Sequence, residues 1–433
     1  RLLLMNTGFG ATQLADVATR EGVTALVHDA EFADLVPARL TGTDGADLVP
    51  AGLTSFVADK QLEVPAGLTS FVADEQLEDL ITHTDDAELP TPRRAGSLVL
   101  LTSGTTGTPK GAPRQVRSPL AAAQFLDRIP LRRGETTFLA APSFHGTGLS
   151  QLILTFALGS TAVLCRRFDA RATLAGIAAH RCTALVVVPT MLRRIMDLPE
   201  EVRAEYDTSS LRVLFSAGSA LGADLGNRAS AAFGPVIHNL YGSTEVAVAT
   251  IATPQDWRAA PGTVGKPPCG CRVRLYDDAG RPVTGTGRQG RIFAGSSLAF
   301  NGYSGGGHKE IIDGLLSTGD VGHFDEHGRL FVDGRDDDMI VSGGENVFPG
   351  EIEELLAARE DVVEAAVIGV PDDEFGQRLR AYVVLRSGVA PDAELLRAHV
   401  RAHLARYKVP REVIFLDELP RNATGKLFRH KLM

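Results

Sequence analysis

Ser97-Leu98-Val99-Leu100-Leu101 runs directly into Thr102-Ser103-Gly104-Thr105-Thr106-Gly107-Thr108-Pro109-Lys110-Gly111. The first five residues, apolar after Ser97, predict a buried strand. In the stretch that follows, hydroxyl side chains and glycines precede a lysine. Glycine lets the backbone adopt positive φ and approach a ligand closely. Hydroxyls and backbone N–H groups bind phosphate oxygens, and lysine adds a point charge. A strand feeding such a loop predicts a polyphosphate site on an α/β sheet. The P-loop form is excluded, because it needs Gly-Lys-Ser/Thr opening a helix, and here Lys110 lies between Pro109 and Gly111.

Outward from this stretch, strands and helices alternate, as in an open parallel α/β sheet. Upstream, the pattern predicts a helix over Ala11 to Glu21, a strand over Ala25 to Val27 and a helix over Ala30 to Leu35. Downstream, Leu185 to Val188 and Leu211 to Phe215 are almost wholly apolar and predict core strands. Strand-turn-strand patterns dominate from 271 to 334. Beyond Arg335 the order is helix (Pro349 to Ala358), strand (Val362 to Val370), strand (Ala381 to Leu385) and helix (Ala393 to Ala405). The expected architecture is a large, multi-layered α/β domain over 1–334 and a small α+β domain over 335–433. The boundary falls at Gly334-Arg335-Asp336-Asp337. One internal repeat stands out: Val49 to Glu63 recurs as Val64 to Glu78, differing only at Lys60 and Glu75. A single duplication cannot build a solenoid; it predicts a surface insertion or an extra strand.

At 433 residues and net charge −9, with no Lys/Arg stripe, the chain has no electrostatic footprint for nucleic acid. Its longest apolar stretch, Leu149 to Leu164, is short and interrupted by Ser150, Gln151, Thr155, Ser160 and Thr161. It predicts a buried helix and strand, not a membrane span. The four cysteines (Cys165, Cys182, Cys269, Cys271) are unevenly spaced and point to a reducing cytoplasm. Cys269-Gly270-Cys271 has no second pair or nearby histidine to complete a metal site.

Two motif matches fail on context. Gly285-Thr286-Gly287-Arg288-Gln289-Gly290 fits G-x-G-x-x-G but precedes a strand and opens no helix. His323-Phe324-Asp325-Glu326-His327 fits a zinc-protease spacing that requires a helix, whereas its flanks predict a hairpin.

Further motifs complete a set. Tyr241-Gly242-Ser243-Thr244-Glu245 follows Phe215-Ser216-Ala217-Gly218-Ser219-Ala220. Ser317-Thr318-Gly319-Asp320 and Gly334-Arg335-Asp336-Asp337-Asp338-Met339-Ile340 come next. Ser342-Gly343-Gly344-Glu345-Asn346 and Pro420-Arg421-Asn422-Ala423-Thr424-Gly425-Lys426 close the series. With the loop at 102–111, this order resembles the adenylate-forming superfamily: acyl-CoA synthetases, luciferase and adenylation domains. The resemblance runs from about Leu2 to Lys426. Members carry a further segment ahead of that start, so the large domain reads as N-terminally truncated.

The resemblance implies residue roles. Thr102, Ser103, Gly104, Thr105, Thr106, Gly107 and Lys110 would hold ATP phosphates. Gly218, Ser219 and Ala220 would frame the adenine, Asn239 would meet its edge, and Tyr241 and Gly242 would lie against it. Thr244 would contact the α-phosphate, Glu245 would hold Mg²⁺, and Asp320 and Arg335 would bind the ribose. Lys426 would be the catalytic lysine and Asp337 the hinge of a rotating C-terminal domain. Gly343 and Gly344 would line the path of CoA. His145, in Ser143 to Gly148, falls where amino-acid-activating relatives carry an acid, so a substrate without an amino group is implied. The expected reaction is ATP-dependent activation of a carboxylic acid, foremost a fatty acid, and transfer to CoA, with AMP and pyrophosphate released. A fatty substrate implies peripheral contact with a membrane surface. An acyl-AMP ligase or aryl-acid enzyme loading a carrier protein is the second reading, and an inactive truncated homologue the third.

Overall fold

The computed structural model describes the chain except residues 1, 4, 6–10, 24, 29–68, 73–97, 102–109, 115–122, 305, 337–339, 343–344, 373–375, 422–426 and 433. The expected helix at Ala30 to Leu35 and the first repeat copy lie outside the described residues. Two compact units are present, Arg1–Gln115 with Phe300–His308, and Val116–Ala299 with Lys309–Met433.

In the first unit, β1 (Leu2–Leu3) pairs in parallel with β4 (Leu98–Leu101), and β4 pairs antiparallel with β5 (Gly111–Arg114). Helix α1 (Ala11–Glu21) buries Leu14 and Val17, against which Leu3, Met5, Leu26 and Leu101 pack. Two further strands, β2 (Ala25–His28) and β3 (Thr69–Val72), pair in parallel. Thus the second repeat copy supplies an extra strand, one of the two forms expected of it. Its Thr69-Ser70-Phe71-Val72 is identical to Thr54-Ser55-Phe56-Val57 of the first copy. Deleting Val64 to Glu78 leaves Thr54-Ser55-Phe56-Val57, the same four-residue sequence, available to pair with β2. We expect the deletion to change stability by about 0.6 kcal/mol or less, the loop-closure scale. It should also spare ATP-dependent activity. A folded deletion variant without that activity would refute this.

The second unit is centred on a six-stranded sheet. Its strands are β6 (Thr136–Leu139), β7 (Thr161–Leu164), β8 (Ala184–Val187), β9 (Val213–Ser216), β10 (Ile237–Tyr241) and β11 (Thr250–Ala252). The order is β11-β10-β9-β8-β6-β7, all parallel except β11. Its helices are α2 (Ala123–Leu126), α3 (Gly146–Ala157), α4 (Ala170–His180), α5 (Pro189–Met196), α6 (Glu200–Ala204), α7 (Ala223–Phe233) and α8 (Pro254–Ala259). Strands covered on both faces must be continuously apolar, which is why Ala184-Leu185-Val186-Val187 is buried throughout. One face packs Leu185, Val187, Leu214 and Ile237 with Leu174, Ile177, Leu192, Ile195 and Trp257. The other packs Val186, Val188, Val213 and Phe215 with Phe125, Ile129, Leu154 and Ile251. Local signals set the helix starts. Pro189 is in the first turn of α5, and Thr253 and Asp256 form a reciprocal cap on α8. The stretch from Leu149 to Leu164 is a helix and a strand, as expected, although Ile153, Phe156 and Leu164 are exposed.

An antiparallel sheet follows: β12 (Arg272–Tyr276), β13 (Gly290–Gly295), β14 (Ile311–Ile312), β15 (Leu315–Phe324) and β16 (Leu330–Arg335). Both rejected motifs lie here as the sequence predicts, the first leading into β13 and the second spanning the β15–β16 turn. His323 pairs with Asp333 across that hairpin.

The C-terminal part has its own sheet of β17 (Ile340–Ser342), β18 (Glu345–Val347), β19 (Val362–Asp372), β20 (Gly376–Leu385) and β21 (Glu412–Phe415). Helices α9 (Pro349–Ala357) and α10 (Ala393–His403) pack on it through Ile352, Leu356, Leu396 and Val400. Strand β20 begins five residues earlier than Ala381. There Leu379 is buried between Arg378 and Arg380, and both arginines pair with Glu412 of β21.

His238 on β10 is 3% exposed, with Nδ1 3.0 Å from the Val236 carbonyl. Burial pulls its pKa down to about 4, against about 6.5 unfolded. A folded pKa below the unfolded one stabilises the fold above pH 6.5, and that contribution is lost as pH falls toward 4. We expect His238 to account for a loss of about 3 kcal/mol over that window. Urea melts at a series of pH values should show a flatter decline for His238→Gln; identical slopes would contradict this.

Candidate active site

Chain order explains where the crevice of the six-stranded sheet lies. From β6 the chain crosses by α3 over one face to β7, and α4, α5 and α7 lie on the other. Connections from the neighbours β6 and β8 therefore diverge at their carboxyl ends, and such switch points open a ligand crevice. The segment after β6 carries His145, which caps α3 by accepting from Thr147 N–H at Nδ1 (3.4 Å). The segment after β8 carries Val188. The turn after β9 carries Gly218, Ser219 and Ala220, all exposed. At Gly218 (φ +96°) a Cβ would lie 3.4 Å from Val188 Cγ1, 3.7 Å from Thr147 Oγ1 and 3.9 Å from His145 Cε1. His145 and the Gly218 turn thus share one crevice, though 73 residues separate them in sequence.

Strand β10 delivers the next group to the same edge. Asn239 is 2% exposed and donates through Nδ2 to the Thr263 carbonyl (3.3 Å). Tyr241, two residues on, donates its hydroxyl to Asp320 Oδ2 at 2.5 Å. Asp320 lies directly opposite Arg335 in the β15–β16 register, and its Oδ1 is 3.6 Å from Arg335 Nη1. Burial and the Asp320 carboxylate hold the Tyr241 phenol protonated, well above its ordinary range. It therefore remains a donor to Asp320 at any physiological pH. Gly319 (φ +78°) lies under the guanidinium; a Cβ there would meet Arg335 Nη2 at 3.3 Å.

After Tyr241 the chain turns back sharply. A Cβ on Gly242 would fall 2.1 Å from the Ala247 carbonyl oxygen, so only glycine fits. Ser243 Oγ accepts from the N–H groups of Glu245 and Val246, each at 3.2 Å. Ala247 closes the turn with φ +70°, a conformation rare for a residue with a Cβ. Ser296 Oγ donates to the Val246 carbonyl from outside. This frame fixes Thr244 and Glu245, and Glu245 is 8% exposed. Mg²⁺ suits one or two carboxylates completed by phosphate oxygens. Among the described residues no group of three or more His, Cys, Asp or Glu side chains could hold a metal. The donor set fits an ion held by Glu245 together with a bound nucleotide, not a closed protein cage.

Lys110 belongs to the first unit. It is exposed at the start of β5, with Nζ 5.3 Å from the centroid of the Tyr303 ring. Beside it, Ser304 N–H donates to the Gly111 carbonyl (2.9 Å), and Ser304 Oγ donates to Glu21 Oε1 (2.6 Å). A Cβ on Gly111 would lie 2.4 Å from both Glu21 Oε1 and Ser304 Oγ. Sequence reasoning missed Glu21, Tyr303 and Ser304, since they are distant in sequence and carry no motif. Thr102, Ser103, Gly104, Thr105, Thr106, Gly107, Asp337, Gly343, Gly344 and Lys426 lie outside the described residues.

The AMP-binding enzyme profile matches residues 1–304, and the AMP-binding enzyme C-terminal domain profile matches residues 351–426. The chain belongs to the AMP-binding enzyme family. It is 37% identical to indoleacetate–CoA ligase of Aromatoleum aromaticum over 337 residues, taking in 76% of this chain and 65% of that protein. The match thus spans just under two thirds of that relative's length. A Rhodococcus jostii 3-[(3aS,4S,7aS)-7a-methyl-1,5-dioxo-octahydro-1H-inden-4-yl]propanoyl:CoA ligase is 32% identical, with 100% of this chain and 83% of the relative covered. Among solved structures, the anthranilate CoA ligase AuaEII in complex with anthranoyl-AMP superposes with TM-score 0.84 at 28% identity, covering 99% of this chain and 81% of that one. The fold is accordingly that of the adenylate-forming enzymes, a large α/β part followed by a smaller C-terminal domain. Among the described residues no helix is long and apolar enough to cross a membrane.

Proposed function

We propose that this chain activates a carboxylic acid with ATP as the acyl-adenylate and passes the acyl group to CoA. The observation that carries this reading is Asp320, held between the Tyr241 hydroxyl and the Arg335 guanidinium at the sheet edge. A carboxylate there accepts two hydroxyl donors, as the ribose of ATP requires. Asn239 and the Gly218–Ala220 turn then address the base, and Gly242 keeps the backbone close. Thr102, Ser103, Gly104, Thr105, Thr106, Gly107 and Lys110 hold the phosphates, while Thr244 contacts the α-phosphate. Glu245 holds Mg²⁺, which offsets phosphate charge when bound.

In the first step a carboxylate oxygen attacks the α-phosphorus. A new O–P bond forms, the bond to the β-phosphate oxygen breaks, and pyrophosphate leaves. Lys426 lowers the barrier by meeting charge that builds at the phosphate, an effect of positioning and electrostatics. In the second, the thiol sulfur of CoA attacks the acyl carbon; AMP departs and the thiol proton passes to solvent. The domain boundary lies at 334/335, Asp337 is the pivot, and Gly343 and Gly344 line the thiol's path. The acid lacks an α-amino group, since His145 offers no carboxylate to pair with one. The sequence motifs favour a fatty acid, while the named relatives favour a ring-bearing one.

A pyrophosphate-release screen over fatty, aryl-acetic and polycyclic acids, with and without CoA, tests the reading. Acid-dependent release with acyl-CoA formed is expected. Release followed by transfer only to a carrier protein would favour the carrier-loading alternative. No release with any acid from folded protein would sink the proposal.

A further inference from the structure

Ser216 and Thr250 are each fully buried, and neither hydroxyl has a hydrogen-bond partner among the described residues. A buried polar group left unpaired costs stability and calls for a partner. In the sheet register Ser216 lies directly beside Asn239, and Thr250 directly beside Tyr241. Register partners share a face, and residues two apart on a strand do too. Ser216, Asn239, Tyr241 and Thr250 therefore form one polar patch among apolar strands, at the edge that carries the site. Asn239 already donates through Nδ2 to the Thr263 carbonyl, which leaves Oδ1 for a second partner. Neighbouring strands are about 4.8 Å apart. The Ser216 hydroxyl is not hydrogen-bonded to the Asn239 carboxamide, and a single water is of a size to bridge side chains on neighbouring strands.

We propose that Ser216 is a positioning residue for Asn239, its hydroxyl joined to Asn239 Oδ1 through a single buried water. The carboxamide is then gripped at both ends, and its orientation toward the nucleotide base is fixed before ATP arrives. This rests on the nucleotide site proposed above. Thr250 is a built-in comparison, since its hydroxyl is equally buried but lies beside Tyr241 and not Asn239.

The experiment uses the full chain with Ser216→Ala and Thr250→Val. Melting temperature and ATP affinity are measured by calorimetry without any acid, and kcat at saturating ATP is measured with the best acid. Ser216→Ala should lower Tm, because the water loses an anchor. It should weaken ATP binding roughly five- to tenfold, the scale of one hydrogen bond, and leave kcat within about twofold. Thr250→Val should leave ATP affinity unchanged. A raised Tm for Ser216→Ala would overturn the proposal, because removing an unpaired hydroxyl stabilises. A lowered Tm with unchanged ATP affinity would overturn it too, leaving a purely structural role. Wild-type protein that binds ATP yet activates no acid would defeat the proposed reaction, while the ATP affinities would still decide the role of Ser216.

Discussion

Lys426→Ala should lower acyl-adenylate formation by roughly 10²- to 10³-fold, the scale seen when one preorganised charge-stabilising donor is removed. The same variant should still convert supplied acyl-adenylate to acyl-CoA. In the proposed mechanism Lys426 meets charge only while the α-phosphate is under attack. Thioester formation breaks a different bond, at the acyl carbon, and would use a domain pose from which the lysine is withdrawn. Single-turnover pyrophosphate release, set beside acyl-CoA formation from synthetic adenylate, separates the steps. Equal loss of both steps in a folded variant would show that one arrangement serves both. Asp337→Pro should give the opposite split. Proline fixes φ near −65° and would hold a pivot in one pose; if that is the adenylation pose, adenylate forms and transfer fails.

Gly242→Ala should be nearly as damaging, for a reason that is steric and local. The added methyl would sit 2.1 Å from the Ala247 oxygen and 2.9 Å from its carbonyl carbon, both backbone atoms. No rotamer relieves such a contact, so the turn between Tyr241 and Ala247 must open. Thr244 and Glu245 sit inside that turn. A displacement of about 1 Å at a positioned group costs about 10²-fold in rate, and we expect a fall of that size in kcat/KM for ATP. Ala247→Gly is the matched control. Glycine adopts φ +70° without strain, so this variant should retain activity. Near-wild-type kcat/KM in Gly242→Ala would mean that the turn does not set the position of Thr244 and Glu245.

Much of the six-stranded sheet was legible in the sequence, because Leu185 to Val188 is an unbroken apolar run and Leu211 to Phe215 is interrupted only by Arg212. Site residues were legible as types, and less so as contacts. Tyr241 and Asp320 belong to separate motifs, and nothing local announces a hydrogen bond across 79 residues. The Glu21–Ser304 bond spans 283 residues and falls in no motif at all. Strands β17 and β18 were not foreseen either. Each is three residues long, too short for alternation to show. The early start of β20 was hidden by its arginines, whose charges are offset by Glu412, a partner over thirty residues away.

The duplication gives β2 two sequence-identical candidate partners. The strand that pairs with β2 has a four-residue sequence that the chain carries twice. The two ways of filling the position differ by fifteen residues of connector, a difference of a few tenths of a kcal/mol in closure entropy. Exchanging one copy for the other should therefore cost little, and the two copies differ only at Lys60 and Glu75.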